Sequence, residues 1–365
     1  MSVRLEDQGL AEIASRIEAG LRLSEADAVR LFQSTDLHAL GGLADLANRR
    51  RNGDRVSYIL NRYINYSNYC ILSCQFCAFS RKKRNQDGFE LTIDQMVDKA
   101  REAAACGITE LHIVGGLHPS LPFEYYLDML RALKSLDPRL QLKCFTAIEI
   151  RHLAGLARKS IPETLELLRH AGLDALTGGG AEIFRQEVRD AIARGKETAA
   201  EYLDVHRTWH RMGGHSTCTM LYGHVESLED RVDHLRQLRA LQDETGGFSG
   251  FVPLPYHPGN NRIPVTSAPT GLDTLRTMAV SRLYLDNFDH LTAYWVGMGL
   301  KLAQVALEFG ADDLHGTILE EHIFHMAGAQ SPQRQTEADM IRAIRETGRV
   351  PVQRDTNYQP VRIAK

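Results

Sequence analysis

The stretch Leu111-His112-Ile113-Val114-Gly115-Gly116-Leu117-His118, the run 123–134 and the segment Leu140-Gln141-Leu142-Lys143-Cys144-Phe145 read together as strand, helix, strand. The outer pieces are short and apolar and stop at turn residues. In the middle piece Tyr126, Leu127, Leu130 and Leu133 recur at the three- and four-residue spacing of a helix face. Two strands joined through such a helix lie parallel, with a right-handed crossover.

Outward from this unit the pattern repeats. Strand-like runs fall at 56–64, 175–176, 216–221, 248–254, 290–295 and 312–314, and helical runs at 92–105, 161–171, 199–211, 228–244, 272–285 and 296–309. Seven or eight βα units close on themselves more readily than they tile an open sheet, so the expected fold is α/β, a TIM barrel of the (β/α)8 type, complete or partial. Residues 1–55 read as an N-terminal helical extension. Ser24 with Asp27 makes a capped helix start there, and Asn52-Gly53 stops a second helix over 38–51. The barrel domain is expected over 56–330. Residues 331–365 are expected as a C-terminal helix and an extended strap marked by Pro351 and Pro360.

Composition removes several classes. The 365 residues are 43% apolar and 24% charged, which is globular, and the net charge of −3 gives no general reason for nucleic acid as partner. No apolar run reaches the roughly 20 residues that span a bilayer, so no membrane is expected. Glu6, Asp7 and Glu12 argue against a secretory signal. Three of the six cysteines crowd into eight residues, while Cys106, Cys144 and Cys218 are scattered and read as small apolar side chains. That is no disulfide framework, and a reducing, cytoplasmic setting is expected.

A barrel of this kind carries its chemistry at the C-terminal ends of its strands. The residues falling there are rich in glycine, in the pair Gly115-Gly116 and the triple Gly178-Gly179-Gly180, and in histidine. The densest chemistry is Cys70-Ile71-Leu72-Ser73-Cys74-Gln75-Phe76-Cys77-Ala78, just after the first strand. Three thiolates spaced in this way can converge on a metal. Zinc is the competing occupant, but a structural zinc site wants four ligands, and no second Cys pair or nearby His pair completes one. Three ligands on a four-iron cluster leave one iron open to a substrate.

The Cys-x3-Cys-x-Phe-Cys spacing resembles the signature of the radical S-adenosylmethionine superfamily. Val114-Gly115-Gly116-Leu117-His118-Pro119, Phe145-Thr146-Ala147-Ile148-Glu149-Ile150, Gly178-Gly179-Gly180-Ala181-Glu182-Ile183-Phe184, Asp243-Glu244-Thr245-Gly246-Gly247-Phe248 and Asp312-Asp313-Leu314-His315-Gly316-Thr317 resemble one branch of it, the aminofutalosine synthases of a menaquinone route. The likeness runs from about Val56 to about Ala329. Asn65-Tyr66 and Thr177 depart from the branch's usual residues.

The resemblance implies a 4Fe-4S cluster on Cys70, Cys74 and Cys77, with S-adenosylmethionine as a consumed co-substrate on the open iron. It implies cofactor contacts from Phe76, at the position that packs near the adenine, and from Ala78, Gly115, Gly116 and Glu149. The implied reaction is radical addition to the enolpyruvyl group of 3-[(1-carboxyvinyl)oxy]benzoate, followed by aryl migration and decarboxylation. Two carboxylates in that substrate call for donors, and His224, Tyr256, His257 and Arg262 are the candidates at strand ends. His315 and His118 are the candidate catalytic histidines for moving a proton around decarboxylation. The implied partner is a one-electron donor, a flavodoxin or ferredoxin, for which the run Arg81-Lys82-Lys83-Arg84 offers a cationic docking patch. The competing expectations are the sister enzyme, the cyclic dehypoxanthinylfutalosine synthase, and a non-catalytic iron–sulfur electron carrier.

Overall fold

The chain alternates strand and helix from residue 55 to residue 316. The computed structural model describes residues 8–265 and 267–364; Glu6 and Asp7, with the rest of 1–7, Thr266 and Lys365, lie outside the described residues. Helices α1 (Gln8–Glu18), α2 (Glu25–Gln33) and α3 (Leu37–Asn52) come first. Then follow β1 (Arg55–Ile59), β2 (Asn61–Ile64), α4 (Ile93–Ala104), β3 (Glu110–Ile113), α5 (Phe123–Leu136), β4 (Gln141–Cys144), α6 (Ala147–Ala157), α7 (Ile161–Ala171) and β5 (Ala175–Leu176). Next are α8 (Gln186–Ala193), α9 (Ala199–Arg211), β6 (His215–Tyr222), α10 (Leu228–Thr245), β7 (Phe248–Pro255) and α11 (Gly271–Tyr284). The chain ends with α12 (Trp295–Met298), α13 (Leu300–Ala306), β8 (Asp313–Gly316), α14 (Ile323–Met326), α15 (Glu337–Glu346), β9 (Val350–Arg354) and β10 (Pro360–Ile363).

Strands β2 to β7 pair in sequence order, all parallel, as a curled half-barrel. A second sheet, ordered β10-β9-β1-β8, stands beside it. The run 56–64, expected as one strand, is divided at Leu60. The Leu60 carbonyl accepts the Thr109 N–H at 2.8 Å, so β2 turns toward β3 while β1 pairs with β8 and β9. The run 290–295, also expected as a strand, makes only two bridges, Leu291 to Phe251 and Thr292 to Asp313, before the chain enters α12. These bridges tie β7 to β8 across the gap between the sheets. The run 296–309 is broken where Gly299 takes φ +80°, a conformation that interrupts a helix and that glycine adopts without strain.

The first helices belong to the same apolar core: Leu31, Phe32, Leu40 and Leu43 are buried in one cluster with the barrel side chains. Ser24 and Asp27 form a complete capping box, and Gly53 ends α3 at φ +63°, as the local sequence suggests.

Side chains alternate in and out along a strand, so register fixes the layers of the barrel interior. Tyr63, His112 and Lys143 stand side by side in one layer, with Asn61, Glu110 and Gln141 one layer below. The turn between β9 and β10 closes this lower end. There the Thr356 hydroxyl donates to Glu110 Oε2 at 2.8 Å and the Thr356 N–H to Gln141 Oε1 at 2.8 Å. Arg354 grips the Asp313 carboxylate with both arms, at 2.6 and 3.1 Å.

Candidate active site

The loop after β2 carries the three clustered cysteines, and main-chain bonds from four directions hold it. Cys70 N–H donates to Arg81 O at 2.9 Å, Ile71 N–H to Leu117 O at 2.9 Å, and Gln75 N–H to Ile192 O at 2.6 Å, while Arg262 N–H donates to Gln75 O at 2.8 Å. Lys82 Nζ gathers the carbonyls of Cys70, Ile71 and Leu72 at 2.9, 3.0 and 2.7 Å. All three cysteines are unpaired thiols and line one cavity of about 290 Å³. Burial pushes the Cys70 thiol up and raises Cys74 to about 12, so an ionised sulfur there needs a cation beside it.

Gly115 and Gly116 follow β3 where the cysteine loop passes over them. A Cβ at Gly116 would lie 2.3 Å from Tyr69 O, and one at Gly115 would lie 2.5 Å from the Tyr66 ring. Neither glycine has a positive φ, so it is close approach that requires them. Gly178 has the same cause, since its Cβ would meet Cys218 Cα at 2.4 Å. Glu149 closes the group. Its Oε1 accepts from the Tyr66 hydroxyl and the Gly115 N–H, and its Oε2 from the Thr146 N–H and hydroxyl. Those four donors fill the carboxylate's acceptor sites, so Glu149 both caps α6 and fixes the glycine pair.

The other candidates divide by position. Phe76, Ala78, Tyr256, His257 and His315 line the cavity with the cysteines and glycines; His118, His224 and Arg262 do not. His118 is an internal staple: Nε2 lies 2.7 Å from Glu90 Oε2, and Nδ1 accepts the N–H groups of Ser120 and Leu121 at 3.1 and 2.9 Å. His224 Nε2 donates to Leu221 O at 3.0 Å beside the Glu226 carboxylate. Arg262 latches the cysteine loop by donating from Nη2 to Ser73 O at 2.7 Å. His257 Nε2 donates to Gly297 O at 2.8 Å, and the Tyr256 hydroxyl donates to Asn261 Oδ1 at 2.8 Å. His315 is buried at φ +65°, with Nε2 3.1 Å from the Tyr63 hydroxyl. Burial, with Arg354 nearby, brings its pKa to about 4, so it is neutral at pH 7.

The cavity wall also includes residues outside the candidate set. The deep half of the cavity is lined by Tyr63, His112, Lys143, Thr177, Tyr294 and Tyr358. Nearer the mouth, Lys196 donates to Gly180 O at 2.8 Å and pairs with Glu182, with its Nζ 5.8 Å from the centre of the Phe76 ring.

Residues 64–238 match the family model described as the Radical SAM superfamily, and residues 245–365 match the CofH/MqnC C-terminal region. An aminodeoxyfutalosine synthase of Thermus thermophilus is 44% identical over 98% of this chain and 98% of its own length. The chain belongs to the radical S-adenosylmethionine superfamily. A second aminodeoxyfutalosine synthase, from Streptomyces coelicolor, is 42% identical over 98% of this chain and 95% of its own. Among solved structures, a methylornithine synthase superposes with a TM-score of 0.72 at 18% identity, covering 93% of this chain and 97% of that one, a likeness of fold.

Radical S-adenosylmethionine membership implies a 4Fe-4S cluster and S-adenosylmethionine. The donor set suits such a body. Three unpaired thiols face one cavity, yet among the described residues no three His, Cys, Asp or Glu side chains converge on a single ion. Those three thiols on one cavity wall are the donor set such a cluster takes, with one iron left for S-adenosylmethionine.

Proposed function

We propose that this chain is an aminodeoxyfutalosine synthase, joining the adenosyl group of S-adenosylmethionine to 3-[(1-carboxyvinyl)oxy]benzoate, with aryl migration and loss of carbon dioxide, to give 6-amino-6-deoxyfutalosine and methionine. The observation that carries this is a single cavity with three cysteines and a glycine pair at its mouth and buried polar side chains at its floor. Cys70, Cys74 and Cys77 would hold the cluster, which would lend the one electron that splits the sulfonium into methionine and the 5′-deoxyadenosyl radical and take it back as carbon dioxide leaves, so that the overall reaction is redox-neutral.

The chain's residues do the positioning. Gly115 and Gly116 let main chain approach the methionyl end, Glu149 holds that main chain in place, and Phe76 and Ala78 pack the adenine side. Tyr256 and His257 stand where the pyruvyl part of the substrate reaches the wall. His315 is neutral and hydrogen-bonded to Tyr63, so it is able to take or return a proton near the migrating centre. A primary carbon radical attacks most C–H bonds within reach, so enclosure by the cysteine loop and the strand ends is itself catalytic.

A flavodoxin or ferredoxin would deliver the electron at the face bearing the cysteine loop. Six unpaired thiols among the described residues support a reducing, cytoplasmic setting, and no described helix is long and apolar enough to cross a membrane. The test is anaerobic incubation of reconstituted protein with S-adenosylmethionine, a reductant and the enolpyruvyl benzoate. An adenosyl-containing, decarboxylated adduct is expected by mass. No sulfonium cleavage would favour an electron carrier, and turnover only of dehypoxanthinylfutalosine would favour the cyclisation sister; either overturns the assignment.

A further inference from the structure

Lys143 is 3% exposed and faces the deep half of the cavity. Among the described residues no hydrogen bond or ion pair reaches its ammonium. Glu110 acts on it only from a distance, because that carboxylate is already held by the Asn61 amide at 2.9 Å and the Thr356 hydroxyl at 2.8 Å. Three further polar atoms around it are buried and unanswered: His112 Nδ1, His315 Nδ1 and Thr177 Oγ1. All belong to residues that line the same cavity, and His112 is the register neighbour of Lys143. A buried cation without a bonded partner is costly, and buried polar atoms are ordinarily satisfied. A buried cation and three unsatisfied polar atoms, all on residues that line one cavity, call for an anion with hydrogen-bonding oxygens.

Position says which anion. Lys143 precedes Thr146, at the mouth, by three residues, roughly 10 Å at the rise of a strand. The vinyl CH2 carbon that meets the adenosyl radical must sit at the mouth beside the cysteines, with the enolpyruvyl carboxylate on the adjacent, ether-bearing carbon. The ring carboxylate, meta to the ether oxygen, is the end of the substrate remote from the vinyl CH2 carbon and points to the floor. We propose that Lys143 anchors the ring carboxylate of the substrate and sets the enzyme's preference for an aromatic acid, with Thr177 and His112 completing the cradle. The assignment rests on the aromatic-acid substrate proposed above. Burial pulls the Lys143 ammonium below its ordinary pKa, and a bound carboxylate reverses that tendency.

The test compares reconstituted wild type with K143M and K143R on two compounds, the enolpyruvyl benzoate and the enolpyruvyl phenyl ether that lacks the ring carboxylate. Equilibrium dialysis with 3-hydroxybenzoate and with phenol runs in parallel. Wild type is expected to prefer the acid by on the order of 100-fold in kcat/KM. K143M, at iron content equal to wild type, is expected to lose that preference to within a few-fold, chiefly through KM, and K143R to keep part of it. An equal loss on both compounds, or a preference that survives in K143M, overturns the proposal. If K143M does not accumulate iron, K143Q must show the same collapse or the proposal falls. Lys143-dependent binding of 3-hydroxybenzoate without turnover of the enolpyruvyl benzoate would keep the anchor and overturn the function. Turnover with a Lys143-independent preference would do the reverse.

Discussion

Glu149 Oε1 accepts the amide N–H of Gly115 at 3.0 Å, joining the first turn of α6 to the loop after β3. The same carboxylate accepts from Tyr66 at 2.8 Å and from the Thr146 N–H and hydroxyl at 2.8 and 2.7 Å. An amide offers only one accepting atom, so Glu149→Gln turns one pair of donors against an NH2 group. Calorimetric melting should show a loss of about 1–3 kcal/mol. Affinity for S-adenosylmethionine should fall with it, because the glycine pair is released. An unchanged melting curve and unchanged affinity would contradict this role.

Cys70→Ala, Cys74→Ala and Cys77→Ala should each abolish product formation and deplete iron measured after reconstitution. Cys144 and Cys218 are fully buried and Cys106 is exposed. Alanine at those three positions should leave iron content intact and change stability by about 1 kcal/mol at most.

Gly116→Ala places a methyl group against main chain, 2.3 Å from Tyr69 O and 3.1 Å from Cys70 Cβ. Main chain cannot swing aside as a flexible side chain can, so the cysteine loop must shift. Iron uptake in this variant should drop together with activity. Gly155→Ala, where nothing lies within 4 Å, is the control and should match wild type.

The four basic residues after the cluster loop have different roles. Lys82 holds three loop carbonyls, Arg81 pairs with Asp87 at 2.6 Å, and Lys83 pairs with Glu90 at 3.2 Å. Arg84 has no bonded partner among the described residues. Lys82→Met should therefore lower iron uptake, whereas Arg84→Glu should leave it alone. Arg84→Glu should slow reduction by an acidic flavodoxin several-fold at low salt, with the difference fading as salt rises. Stopped-flow reduction at two ionic strengths separates the effects.

Acid should unfold the barrel from its floor. For Glu110, burial raises the carboxyl pKa, but Lys143, His112 and Arg354 outweigh it and bring it from 4.5 to about 2. Asp313 is likewise buried, yet Arg354 draws it from 3.8 to about 2. Both values are depressed on folding, so their stabilisation is complete above the unfolded values and is lost as pH falls from about 4.5 toward 2. Melting temperature measured across that window should decline steeply in wild type and less steeply in Glu110→Gln.

Local pattern made much of this fold legible. Alternation placed β4 and β6, and helical spacing matched α7 and α9 to the residue. Non-local pairing was hidden. Nothing near Leu60 announces that its carbonyl will serve Thr109, or that β1 will find β9 almost three hundred residues later. The helix α6 carries a local sign in the Thr146/Glu149 capping box, but its eleven residues show no clear apolar period to extend that sign into a helix. Position alone favoured the strand-end histidines, but where a ring nitrogen points is decided by nearby main chain, as at His118 and His224. Lys143 was visible as a lone charge between Leu142 and Cys144, within a strand otherwise facing the core. A cation in such a place usually answers to another charge or to a ligand.

Asp313 and Glu110 wait for Arg354 and Thr356, and β1 waits for β9. During synthesis the ribosome therefore releases almost the whole barrel before the groups that neutralise its floor have emerged. Until then Asp313 has the Ser57 and Thr292 hydroxyls but no guanidinium, and Glu110 has Asn61 and Lys143 but neither Arg354 nor Thr356. A chain cut short just before β9 should consequently fail as a whole rather than lose a peripheral tail.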